Sequence, residues 1–169
     1  TSGSTGSPKL VRLSYQNLLS NAIAISKYLL LDKNERPITT LPLNYSFGMS
    51  IINSHLINGA TILLTNKSVF SPEFWKFLKS NKPTSISGVP FTFEMLNKLR
   101  FFNMNLPFIK SITQAGGKMD LNLNKELAEY CAKTNKHLYV MYGQTEASPR
   151  ISYLPHEKSL KKIGSIGIP

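Results

Sequence analysis

Lys110-Ser111-Ile112-Thr113-Gln114-Ala115-Gly116-Gly117, then Leu123, Leu127, Tyr130 and Cys131 at i, i+4, i+7 and i+8, then His137-Leu138-Tyr139-Val140-Met141: this stretch decides the fold. A short β-rich run ends in small residues, a segment of helical period follows, and a second β-rich run begins. That order predicts a strand, a crossover helix and a second strand parallel to the first. The same unit recurs outward along the chain. β-rich runs at Ile38 to Leu43, Thr61 to Thr65 and Thr84 to Val89 join those at Lys110 to Gln114 and His137 to Met141, their starts roughly 25 residues apart. Ahead of the first run, Leu18, Ala22, Ile25 and Leu29 keep helical period. Ser71-Pro72 reads as N-cap and first helical residue before Phe74, Phe77 and Leu78. The expected fold is α/β, with a mostly parallel sheet of about five strands and crossover helices on both faces.

Composition narrows the function. A chain of 169 residues, 41% hydrophobic and 17% charged, suits one globular domain. The net charge is +11, but only four of the 20 basic residues are Arg and the Lys residues are dispersed. Nucleic-acid readers cluster their charge and lean on bidentate Arg, so a nucleic-acid partner is not expected. Anionic small molecules would still meet a favourable field. One cysteine, Cys131, excludes an internal disulfide, and no run approaches the ~18 apolar residues of a membrane span. No signal peptide is expected, and the expected location is cytoplasmic.

In an open parallel sheet, ligands bind outside the carboxyl ends of the strands. Those ends carry the chemistry-bearing residues here: Asn44-Tyr45-Ser46-Phe47-Gly48, Gly88-Val89-Pro90, Ala115-Gly116-Gly117 and Tyr142-Gly143-Gln144-Thr145-Glu146. The opposite ends, such as Asn34-Glu35-Arg36-Pro37, are ordinary loop sequence. One shared site follows from that asymmetry.

The opening residues, Thr1-Ser2-Gly3-Ser4-Thr5-Gly6-Ser7-Pro8-Lys9, read in two ways. They are either a Ser/Gly linker or a loop whose backbone N–H groups, hydroxyls and Lys wrap a polyphosphate. They do not form a Walker A motif, because Pro8 precedes the Lys and the spacing is wrong. They resemble instead the T-S-G-[ST]-T-G-x-P-K signature of the adenylate-forming (AMP-binding) superfamily, the acyl-CoA synthetases and their relatives. Tyr142-Gly143-Gln144-Thr145-Glu146 resembles that family's Y-G-x-T-E, and Gly164 to Pro169 its G-x-x-G-x-P stretch. Taken alone, Y-G-x-T-E reads as a strand followed by a capped helix.

The resemblance implies an ATP-dependent ligase that activates a carboxylic acid as an acyl-adenylate, releases pyrophosphate and then forms an acyl thioester. The acyl acceptor would be CoA or a phosphopantetheine, with an acyl carrier protein as partner in the second case. Ser2, Gly3, Ser4, Thr5, Gly6 and Lys9 would hold the β,γ-phosphates. Ala115, Gly116, Gly117, Tyr142, Gly143, Gln144 and Thr145 would hold the adenosine and α-phosphate. Glu146 would ligate Mg²⁺, and Thr5, Lys9, Thr145 and Glu146 would form the catalytic set. Tyr45, Phe47, Gly48 and Val89 would line the acid pocket. Family members that adenylate amino acids carry an Asp where this chain has Gly48, which disfavours an α-ammonium and favours an apolar or aryl acid.

By the same resemblance, residues 1–169 are a partial AMP-binding domain, with the C-terminal lid domain and its catalytic Lys outside it, and are not expected to turn over alone. Two alternatives are a non-catalytic nucleotide-binding module of the same fold and a basic interaction protein.

Overall fold

The computed structural model describes residues 10–169. Ser14 opens the first helix, α1 (Tyr15–Leu29), with a reciprocal capping box: its hydroxyl accepts from the Asn17 N–H, and its own N–H donates to the Asn17 side chain. Five short parallel strands follow, separated by helices: β1 (Pro37–Thr39), α2 (Ser46–Leu56), β2 (Leu63–Leu64), α3 (Pro72–Asn81), β3 (Ser85–Gly88), α4 (Pro90–Lys98), β4 (Ser111–Gln114), α5 (Leu121–Lys133) and β5 (His137–Gly143). Ser71 caps α3 and Pro72 is its first residue, as the sequence predicts.

The sheet has six strands where about five were expected. A final strand, β6 (Arg150–Tyr153), pairs antiparallel with β5. Arg150 and the preceding Pro149 masked it, and no alternation runs long enough to announce it. The predicted run Ile38 to Leu43 stops at Thr39, whose hydroxyl accepts from the Leu41 N–H and turns the chain out of the sheet. The run Thr61 to Thr65 contracts to two strand residues. β5 instead extends past Met141, so Tyr142 and Gly143 are strand residues.

Strand order is β2-β1-β3-β4-β5-β6. The direction of winding reverses between β1 and β3, the switch point at which parallel sheets open a ligand crevice. Period-two alternation sends Ile86, Ile112, Leu138 and Val140 to one face, against Phe74 and Leu78 of α3, Phe93 and Leu96 of α4 and Leu127 of α5. Tyr139 and Met141 point the other way, onto Phe47 and Ile51 of α2 with Tyr28 and Leu29 of α1. Helices therefore cover both faces, as expected. Each fully buried Leu, Ile or Phe contributes about 1.5–3 kcal/mol, so the larger first face carries most of the stability.

The amino ends of the strands, set aside in the sequence as plain loop, are tied together. The Glu35 carboxylate accepts from the Thr84 hydroxyl and lies 3.5 Å from Lys110 Nζ. Arg36 Nε donates to the Asn81 carbonyl. These contacts fix the end remote from the crevice.

Candidate active site

The site is assembled from the loops that leave β1, β3, β4 and β5. Tyr45 is the residue before α2, and its half-buried phenol is pushed above the ordinary tyrosine pKa by burial. Its hydroxyl occupies the space where a Cβ on Gly116 would stand, and Val89 Cγ1 would be only 3.0 Å from that Cβ. Gly116 also has φ +80, a conformation that side chains resist. The loop after β4 is held by Gln114, whose Nε2 donates to the Gly117 carbonyl at 2.8 Å.

Between these loops and the end of β5 lies a cleft of about 610 Å³, lined by Tyr45, Gly116, Gly117, Tyr142 and Gly143. That volume falls in the range of small-molecule sites. Tyr142 is exposed on its wall, free to present a ring face. Next to it is a smaller pocket of about 90 Å³, walled by Tyr45, Phe47, Ala115, Gln144, Thr145 and Arg150. The Thr145 hydroxyl reaches across it to Ser46, with the two oxygens 3.1 Å apart. Residues 145–147 form a single 3-10 turn, so the capped helix that Y-G-x-T-E suggests by itself is absent at that point.

Gly143 explains how β5 and the returning chain come so close. A Cβ there would run into the Pro149 carbonyl, the acceptor for the Gln144 N–H at 2.7 Å. The ladder register shifts between Tyr142 and Gly143, and that irregularity aims Thr145 at α2.

Glu146 faces a neighbouring cleft of about 430 Å³ that it shares with Arg12 and Asn17. Its carboxylate is exposed, and the described residues contain no cluster of three or more potential metal ligands. One accessible carboxylate suits Mg²⁺, which usually takes one or two protein oxygens and completes its shell with phosphates and water.

The structure thus brings Tyr45, Gly116, Gly117, Tyr142 and Gly143 to the cleft and Phe47, Ala115, Gln144 and Thr145 to the pocket beside it, while Val89 lines neither and stands against Gly116. Gly48 is set back from it: a Cβ there would meet the Pro42 carbonyl at 2.6 Å and Leu41 at 3.1 Å, facing the β1–α2 connection. Ser2, Gly3, Ser4, Thr5, Gly6 and Lys9 lie outside the described residues. Two residues of the site had no role in the sequence reading: Ser46, which lies within the Asn44 to Gly48 stretch, and Arg150. For the second, the available signal was an isolated Arg four positions after Glu146. Another groove, of about 1180 Å³, sits at the opposite ends of β4 and β5 beside Lys110 and Lys136, and none of the motif residues lines it.

A mostly parallel sheet with a glycine-walled cleft at the carboxyl ends of β4 and β5 and an exposed carboxylate close by defines a ligand-binding α/β protein. The chain belongs to the AMP-binding enzyme family, whose model matches residues 1–169. It is 31% identical over 172 residues to a 2-succinylbenzoate–CoA ligase of Bacillus cytotoxicus and 29% identical over 167 residues to one of Listeria innocua. All of this chain aligns in the first case and 99% in the second, and the chain spans 34% of the length of each relative. Among solved structures it resembles O-succinylbenzoate coenzyme A synthetase of Bacillus subtilis in complex with ATP and magnesium ion, at 30% identity and a TM-score of 0.83 over the whole chain. The same enzyme in complex with its acyl-adenylate intermediate gives 0.84. This chain covers 34% of that protein in both. No helix among the described residues is long and apolar enough to cross a membrane.

Proposed function

We propose that this chain is the nucleotide- and acid-binding part of a ligase that activates a carboxylic acid with ATP and passes it to a thiol. The observation that carries the reading is the convergence of Gly116, Gly117 and Tyr142, from two separate strand ends, on one cleft, with Thr145 in the small pocket beside it. The relatives named above are CoA ligases, and the solved relative binds ATP, magnesium and an acyl-adenylate.

In the proposed reaction an acid carboxylate oxygen bonds to the α-phosphorus of ATP. The bond from that phosphorus to the bridging oxygen breaks, and pyrophosphate leaves. A thiolate, of CoA or of a phosphopantetheine on an acyl carrier protein, then attacks the acyl carbon and releases AMP. No residue need bond covalently to substrate, so the protein acts by positioning and by matching charge. Tyr142 offers its ring to the adenine, and Gly116 and Gly117 let it approach the backbone. The Thr145 hydroxyl, held by Ser46, donates to an α-phosphate oxygen. Thr5 and Lys9 serve the outer phosphates, with Ser2, Gly3, Ser4 and Gly6 supplying backbone donors. Glu146 would hold Mg²⁺, which when bound offsets the negative charge of the phosphates. Tyr45, Phe47 and Val89 give the acid an apolar or aryl lining, with Gly48 behind it.

The test is AMP release by the full-length polypeptide given Mg·ATP, CoA and a panel of fatty, aryl and amino acids. Release that depends on one class of acid and yields its thioester supports the reading. Binding of Mg·ATP with no acid-dependent AMP release would instead make this a non-catalytic nucleotide-binding module.

A further inference from the structure

Asn21 joins two parts of the molecule that lie 129 positions apart in the chain. It stands partly buried in the middle of α1, the helix that follows the Thr1 to Lys9 motif in the sequence. Its Nδ2 donates to the Arg150 carbonyl at 2.8 Å, and the Arg150 N–H donates to its Oδ1 at a longer 3.5 Å. A side-chain amide offers the same donor and acceptor as a peptide group. Asn21 therefore meets both main-chain polar atoms of Arg150, as a neighbouring strand would.

What this contact holds is the return of the chain from the 3-10 turn Thr145–Ala147. Arg150 opens β6 directly after Pro149, whose carbonyl accepts from the Gln144 N–H at 2.7 Å and closes the base of that turn. Glu146 and Asn21 line the same cleft of about 430 Å³, with Arg12 and Asn17. The two ends of the turn are thus secured differently. Thr145 is held against α2 by Ser46, and the Glu146 side is held against α1 by Asn21. α1 does not need this contact to stay docked. Ala22 and Ile25 are buried, Ser26 Oγ lies 3.0 Å from the Ser54 carbonyl of α2, and Asn58 Nδ2 donates to that same Oγ at 2.8 Å. Loss of the Asn21 amide leaves the helix in place and frees the turn.

We propose that Asn21 is a positioning residue for adenylation: by clamping the Arg150 backbone to α1 it sets the place of the Glu146 carboxylate. This rests on the acid-activating reading above, in which Glu146 holds Mg²⁺. Asn21 touches no reactant and acts through Glu146. Misplacing a reacting group by about 1 Å costs up to about 100-fold in rate, whereas one neutral hydrogen bond adds little to stability. The clamp is therefore felt in the chemistry more than in the fold.

The experiment compares wild type, Asn21→Leu and Asn21→Ala as full-length polypeptides, by acid-dependent ATP–pyrophosphate exchange, by equilibrium titration of ATP at varied Mg²⁺ and by thermal unfolding. In both variants kcat is expected to fall about 10- to 100-fold while KM for the acid stays within about 2-fold. The Mg²⁺ concentration that gives half-maximal ATP binding is expected to rise about 10-fold, a binding readout that does not depend on turnover. Asn21→Leu added to Glu146→Gln costs less than about 2-fold more, because the clamp acts through that carboxylate. Variants that unfold at lower temperature but keep wild-type kcat and Mg²⁺ demand while folded overturn the proposal, and make Asn21 a structural tie alone. Losses that multiply in the double variant overturn it as well. Exchange by the wild type with no acid would remove the acid-activating reading, and the ATP titration then decides the clamp: a raised Mg²⁺ demand in Asn21→Leu supports it and an unchanged one overturns it.

Discussion

Ser46 Oγ and Thr145 Oγ1 lie 3.1 Å apart although 99 positions separate them in the chain. One stands in the first turn of α2 and the other in the 3-10 turn after β5. The contact joins the acid-pocket segment to the Y-G-x-T-E segment, so the hydroxyl assigned to the α-phosphate is held by the wall of the acid pocket. Removing Ser46 and Thr145 should therefore not be independent. In a double-mutant cycle on kcat/KM for adenylation, Thr145→Ala should cost about 100-fold and Ser46→Ala about 5-fold. The double variant should resemble Thr145→Ala alone, because residues in contact couple. Simple multiplication of the two effects would show that Ser46 does not act through Thr145.

Gly143 is required by space. Any side chain there meets the Pro149 carbonyl where β6 returns along β5. Gly143→Ala should lower stability by about 1–3 kcal/mol, the usual cost of overpacking, and should weaken nucleotide binding by displacing Thr145. Urea denaturation and Mg·ATP titration of the same variant measure the two effects.

His55 makes the fold acid-sensitive. Burial pushes its pKa down to about 4, against the raising effect of its Nδ1 hydrogen bond to the Ile51 carbonyl, and nearby Arg150 lowers it further. Its Nε2 is buried without a partner among the described residues. The folded-state pKa lies below the ordinary 6.5, so the unfolded chain takes up the proton first. Stability is complete above about pH 6.5 and falls as the pH drops toward 4, by at most about 1.4 kcal/mol per pH unit. His55→Gln should flatten that slope in denaturation curves collected from pH 4 to 7. His137, lowered by burial and by the neighbouring His156, leaves a smaller slope of the same sign.

Cys131 is a core residue, as its place on an apolar helical face suggests. Burial pushes its thiol up to about 12, despite the nearby Lys136 ammonium. Iodoacetamide at pH 8 should label it only at the rate of unfolding. Rapid labelling of the native protein would contradict the packing described.

The parallel strands and their helices were readable because each strand is flanked by segments of a different period. Ile112, Leu138 and Leu127 declare their faces by spacing alone. β6 was not readable: its position depends on the turn at Gly143 and Pro149, a contact between backbones that leaves no periodic trace. The same limit hid Ser46, an ordinary polar residue until Thr145 is placed against it. Arg150 was visible as an isolated Arg, yet only the fold reveals that it is buried on Phe47, Ser50 and Tyr28, with no ion-pair partner among the described residues. Gly48 shows the converse. Its place in a motif suggested an acid-pocket position, and the backbone turns it toward Pro42.

The most direct test of the account is carboxylate-dependent ATP–pyrophosphate exchange by the full-length polypeptide, with Glu146→Gln beside the wild type. The account predicts exchange that requires Mg²⁺ and an acid and that falls by about 100-fold or more in the variant, as loss of charge compensation at a reacting phosphate entails. Exchange undiminished in Glu146→Gln, or none with any acid despite Mg·ATP binding, would contradict it.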